Sequence, residues 1–89
     1  MTKPVHITIY GPGCPNCRVL RQLVEQVAHA EGIAVELVTD GDFERYIDQG
    51  ILRTPALEIE GELKSAGFPP PRETLRSWLR EAAARITLT

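Results

Sequence analysis

The sequence predicts an α/β fold with the element order β-α-β-α-β-β-α. In it a four-stranded mixed sheet carries two long helices on one face and a short one on the other. Three observations lead there. An alternating, β-branched stretch, Val5–Tyr10, runs through a glycine-rich turn into a helical apolar pattern that begins at Pro15. A second apolar strand, Ile33 to Val38, follows that helix, and strand–helix–strand units of this kind form right-handed parallel pairs. Near the C-terminal end, two short strands flank Glu60-Gly61, a hairpin turn, and a last helical stripe follows them.

Each element has its own signals. In the first strand Val5, Ile7 and Ile9 share one face, and His6, Thr8 and Tyr10 share the other. Gly11-Pro12-Gly13 stops the strand. The first helix is predicted over Pro15–Glu31. Proline suits its first position, Leu20, Leu23, Val24, Val27 and Ala30 make its apolar stripe, and Gly32 is its left-handed cap. Ile33, Val35 and Leu37 give the second strand one apolar face. Asp40 and Asp42 then offer caps for a short helix ending near Gln49, with Phe43, Tyr46 and Ile47 as its buried edge. The third strand is read over Ala56–Glu60 and the fourth over Glu62–Ala66. The last helix is read over Pro71–Arg85, with Leu75, Trp78, Leu79, Ala82 and Ile86 facing the core.

Composition narrows the function. At 89 residues the chain is expected to be a single domain, residues 1–89, with a small core. It is 43% apolar and 25% charged, with a net charge of -2 and both signs interspersed. No basic or acidic block argues for nucleic acid or a membrane surface as a partner. No stretch reads as a signal peptide or a membrane span, so a cytoplasmic, monomeric protein is expected.

In a reducing compartment two cysteines are more often catalytic or metal-binding than structural. A Cys14–Cys17 bond would close a loop worth only roughly 2 kcal/mol in chain entropy, against about 3 for a fifteen-residue loop. If the bond forms, it serves chemistry.

The spacing Cys14-Pro15-Asn16-Cys17 at a helix start explains which chemistry. One helical turn brings the two Cα atoms into disulfide range. Cys14 faces the unpaired N–H groups and positive dipole of the first turn, which favour its thiolate. Cys17 lies inside the helix and is expected to be more buried. The division of labour follows: Cys14 attacks a substrate disulfide and Cys17 resolves the mixed disulfide. Arg18 adds positive charge beside the pair.

The chain resembles the thioredoxin superfamily, in particular its small, glutaredoxin-sized, thioredoxin-like redox-active disulfide proteins of archaea and bacteria. The resemblance covers roughly residues 4 to 84 and rests on several motifs. These are Ile7-Thr8-Ile9-Tyr10-Gly11 leading into Cys14-Pro15-Asn16-Cys17, Gly50-Ile51 with Thr54-Pro55-Ala56-Leu57, Gly61 at the hairpin, and Ala66-Gly67 after the fourth strand. It implies a thiol–disulfide oxidoreductase that acts on protein disulfides and needs no cofactor beyond the Cys14–Cys17 couple. It also implies that Pro55 is cis and packs against the cysteines, and that the backbone of Thr54 pairs with an extended substrate. Gly13, Pro15, Asn16 and Gly67 join the supporting set, with Tyr10 beside the motif as either substrate contact or packing.

The sequence also departs from its relatives. Gly13 stands where thioredoxins carry tryptophan, and Pro15 directly after the first cysteine is the glutaredoxin arrangement. Thioredoxins place a buried aspartate under the pair; His6, Thr8 and Tyr10 offer none, which leaves water or Glu58 to take the proton of Cys17. Ser65-Ala66-Gly67-Phe68-Pro69 lacks the acidic pair through which glutaredoxins hold glutathione. The electron donor is therefore read as either a thioredoxin reductase-like protein or glutathione.

A rival reading from another class uses the same thiolates. Small copper chaperones also place a Cys-x-x-Cys loop between a first strand and a first helix, and soft thiolates select Cu(I) or zinc. Against it, Pro12 stands where those proteins carry methionine, the chain ends on a helix, and Thr54-Pro55 has no role there. A redox-linked regulator is a third reading. His6 and His29 read as surface residues, Trp78 as packing, and Phe68 as an apolar lip near the cysteines.

Overall fold

β1 spans Val5–Tyr10 and α1 spans Pro15–Glu31, with the boundaries that the sequence predicts. The computed structural model describes residues 3–51 and 53–88. Met1, Thr2, Leu52 and the inward placement predicted for the Phe43 side chain lie outside the described residues.

Local chemistry fixes both ends of α1. Pro15 occupies the first helical position, where its missing N–H leaves nothing unpaired. Gly32 turns left-handed at φ 65° and its N–H reaches the carbonyl of His29. The N–H of Ile33 donates to the carbonyl of Ala28 at 2.9 Å. That bond spends Ile33 on the helix cap, so β2 runs Val35–Asp40 instead of the predicted Ile33–Val38, and pairing begins where Val35 meets Val5.

α2 covers Phe43–Asp48 and is capped by Asp42, whose carboxylate accepts from the N–H of Glu44 at 2.9 Å. β3 is Ala56–Ile59 and β4 is Glu62–Ala66. Between them Glu60 (φ 50°) and Gly61 (φ 80°) are both left-handed, as a two-residue hairpin turn requires, so β3 ends one residue before the predicted Glu60. α3 is Arg72–Leu88. It starts after Pro71, whose carbonyl accepts from the N–H of Leu75 at 3.0 Å, and runs past the predicted end at Arg85.

The sheet order is β2-β1-β3-β4. β1 lies parallel to β2, antiparallel to β3, and β3 antiparallel to β4. The main core forms on one face. Val5, Ile7 and Ile9 of β1 and Leu57 and Ile59 of β3 meet Leu20, Val24 and Val27 of α1 and Leu75 and Leu79 of α3. Each such residue that is fully buried contributes about 1.5–3 kcal/mol. Trp78 packs against this core with Lys64 Nζ 6.0 Å from its ring, so its role is structural. Glu31 at the end of α1 accepts from Arg76 at 3.0 Å and from Arg80 at 2.6 Å on α3. These are largely surface pairs, which orient the two helices more than they stabilise them.

The second face holds a smaller cluster of Tyr10, Tyr46, Ile51 and Ala56. Tyr10 and Tyr46 meet edge to face, with centroids 6.2 Å apart and planes at 88°. Ile47 does not join it: it is 65% exposed, contrary to the predicted buried edge. A six-residue helix makes under two turns, and Tyr46 already takes the inward direction.

Candidate active site

The turn between β1 and α1 brings the two cysteines together. Cys14 is extended (φ -65°, ψ 166°), and its carbonyl accepts the first helical bond, from the N–H of Arg18 at 3.1 Å. Cys17 sits one turn into α1 and is only 7% exposed, whereas Cys14 is half-buried. No disulfide joins them; the sulfurs lie 2.6 Å apart, within hydrogen-bond distance.

The two thiols are electrostatically unlike. Donation from the Cys17 thiol, helped by the backbone N–H groups of Cys17 and Asn16, holds Cys14 below the ordinary thiol range. Burial, and then that same donation to Cys14, pushes Cys17 up. The thiolate is thus favoured at Cys14 and disfavoured at Cys17.

This makes a pH prediction. The thiolate is the reactive form, so alkylation of Cys14 by iodoacetamide is expected to rise with pH and reach half its plateau below the value of free cysteine, about 8.5. Cys17 is expected to react only at higher pH and more slowly. Stopped aliquots read by intact mass and peptide mapping check both; equal reactivity of the two thiols at every pH would contradict it.

Three glycines frame the pair. Gly13, with φ 88°, precedes Cys14, and a side chain there would meet open space. Gly67, with φ 97°, donates its N–H to the carbonyl of Pro55 at 2.9 Å. Gly11 is different. Its φ is not left-handed, but a Cβ built there would lie 2.3 Å from the sulfur of Cys17 and 3.9 Å from Cα of Pro55. Glycine is needed at 11 for space and not for conformation. Sequence reasoning read Gly11 as a strand stop and as part of the family resemblance, with no role in making room for Cys17. No local signal marks it, because the contact depends on where the helix returns.

The other predicted residues fall around the pair. Pro15 and Asn16 are exposed on the first turn of α1. The Thr54–Pro55 bond is cis, Pro55 is buried, and Gly11 lies between it and Cys17. Phe68 follows Gly67 and is 58% exposed. Tyr10 is 6% exposed; its hydroxyl donates to Glu58 Oε2 at 3.1 Å and its ring packs on Tyr46. Glu58 is therefore engaged by Tyr10. The carbonyl of Asp40 accepts from both the Tyr46 hydroxyl (3.1 Å) and the N–H of Gly11 (2.9 Å), which ties the cysteine turn to β2.

A cleft of about 460 Å³ opens beside the pair. It is lined by the Gly11–Gly13 turn, by Cys17, Arg18 and Arg21 of α1, and by Thr39 and Gly41 at the end of β2. Among the described residues no charged side chain is buried, and no group of three or more His, Cys, Asp or Glu is placed to hold a metal ion. No helix among them is long and apolar enough to cross a membrane.

Comparisons with known proteins agree with this geometry. Residues 5–80 match the family model described as a thioredoxin domain. A thioredoxin of Methanothermobacter thermautotrophicus is 30% identical over 73 residues, which span 82% of this chain and 95% of that protein. Among solved structures, chloroplastic thioredoxin z superposes with a TM-score of 0.67 at 17% identity, over 91% of this chain and 80% of that one. A Halobacterium salinarum thioredoxin does so at 0.65 and 18% identity, over 91% and 76%. With a family match over most of its length and a strand–turn–helix that presents two thiols, the chain belongs to the thioredoxin family of thiol–disulfide oxidoreductases.

Proposed function

We propose that the protein reduces protein disulfides by two successive thiol–disulfide exchanges, with Cys14 as nucleophile and Cys17 as resolving thiol. The reading is carried by one observation, two sulfurs 2.6 Å apart at a helix start whose acidities are pushed in opposite directions. In the first step the Cys14 thiolate attacks one sulfur of the substrate. A Cys14–substrate bond forms and the other substrate sulfur leaves as thiolate. In the second, Cys17 loses its proton to solvent in the adjoining cleft and attacks the sulfur of Cys14. The second substrate thiolate leaves, and two electrons have passed from protein to substrate. The half-buried backbone of Thr54, beside the Pro55–Gly67 hydrogen bond, holds the extended substrate segment, and Gly13, Pro15 and Asn16 leave Cys14 approachable. The oxidised Cys14–Cys17 couple is the sole redox group. It is returned to the dithiol by a reductase or by glutathione, in a monomer working in the cytoplasm.

A redox titration of metal-free protein in defined dithiol buffers, trapped with an alkylating agent and read by intact mass, tests this. The expected result is loss of two hydrogens per chain, with a single two-electron midpoint in or near the span of about -270 to -200 mV. If no intramolecular disulfide forms, the redox role fails. Cu(I) and zinc titrations of the same two thiols then follow.

A further inference from the structure

The cleft beside Cys17 has a definite chemical character. Its walls are the Gly11–Gly13 turn with Ile9, Thr39 and Gly41, and its charged members are Arg18 and Arg21; among the described residues no acidic one lines it. Arg21 pairs with Glu25 at 3.1 Å on the exposed side of α1, which partly offsets its charge. Arg18 has no ion pair among the described residues. The acids that follow Thr39 face elsewhere: Asp40 accepts from the N–H of Asp42 and pairs with Arg45 at 3.5 Å, and Asp42 caps α2. The cleft is therefore basic on one side and neutral on the other.

Its volume of about 460 Å³ lies within the range of specific ligand sites. Cys17 is among its lining residues and Cys14 precedes Cys17 by one helical turn, so a group that enters the cleft lies next to the reacting pair.

We infer that this cleft selects disulfide substrates of one class, protein segments that carry an aspartate or glutamate beside the attacked cysteine. The segment lies along Thr54–Pro55 on one side of Cys14, and its acidic flank turns into the cleft on the other, where the carboxylate meets Arg18 and, with Glu25 displaced, Arg21. This rests on the reading that Cys14 and Cys17 are the reacting pair. It adds the feature of the substrate that the chain recognises.

The test uses three disulfide-linked peptides that differ only in the residues flanking the cysteine: two glutamates, two glutamines or two lysines. Each is reduced by the wild-type protein and by the Arg18→Gln/Arg21→Gln variant. The expected order for wild type is Glu over Gln over Lys, with kcat/KM for the acidic peptide roughly 3- to 10-fold above the neutral one, carried mainly by KM. The advantage is expected to shrink as salt is raised. In the variant the acidic-to-neutral ratio is expected to fall to about one, and in Arg18→Glu/Arg21→Glu the lysine peptide is expected to move ahead.

Wild-type protein that reduces all three peptides at equal rates, or a preference that survives the double glutamine variant, overturns the inference and leaves the dithiol reading standing. Faster reduction of glutathione disulfide than of the acidic peptide overturns it as well, by giving the cleft to a small carboxylate-bearing disulfide. No reduction of any peptide, the neutral one included, brings down the underlying reading and this inference with it.

Discussion

Cys14→Ser is expected to abolish turnover, lowering the rate of insulin disulfide reduction by more than about 10³-fold. The reason lies in what the site does for a sulfur and cannot do for an oxygen. Donation from Cys17 and from the backbone N–H groups of Cys17 and Asn16 lowers the pKa of Cys14 and favours its thiolate. A thiol starts within reach of that shift, whereas an unactivated serine hydroxyl stays protonated and is a poor nucleophile toward a disulfide. The substitution is small and its site is only half-buried, so the fold should survive, and far-UV circular dichroism of the variant checks that. Turnover within about ten-fold of wild type would remove Cys14 from the nucleophile's role.

Cys17→Ser should fail differently. The first exchange proceeds, because Cys14 is intact, and the variant stalls as a mixed disulfide after one event per chain. Resolution in the wild type is intramolecular, from a sulfur already 2.6 Å away. Effective concentrations for well-placed groups of this kind reach about 10⁵ M or more, which no millimolar external thiol replaces. Steady-state turnover is therefore expected to fall by about 10³-fold or more, with a stoichiometric burst and an adduct equal in mass to one substrate half. Addition of dithiothreitol should release the adduct and restore the burst. Repeated turnover by the variant with no added thiol would show that resolution comes from elsewhere.

What was legible in the sequence follows from how local each feature is. Both ends of α1 were readable because Pro15 and Gly32 act through their own backbone angles. So was the hairpin at Glu60-Gly61. β2 was misplaced because its start is decided by a bond from Ile33 back to Ala28, which strand propensity does not see. The outward turn of Ile47 is likewise a tertiary fact, since the inward direction of α2 is set by contact with Tyr10 on the second face of the sheet.

The site divides the same way. Cys14 and Cys17 are close in sequence, so a turn of helix joins them, and their unequal burial was readable from position alone. Thr54, Pro55 and Gly67 entered through resemblance to a family, and the structure brings Gly67 to the carbonyl of Pro55. Tyr10 was ambiguous at a strand end, and the structure buries it against Tyr46 and Glu58. The cleft was invisible because its far wall, Thr39 and Gly41, comes from a strand that reaches the turn only through the parallel pairing of β1 with β2.

The missing methyl at position 11 bears on how such proteins are compared. The residue that makes room for the second sulfur lies outside the four-residue motif by which these chains are grouped. A chain with the same Cys-Pro-Asn-Cys and any side chain at that place has to park its inner thiol in another rotamer or open the turn. Two proteins with identical motifs need not then share the same second step. In this chain the working site is seven residues long, from Gly11 to Cys17, and its first letter is a space.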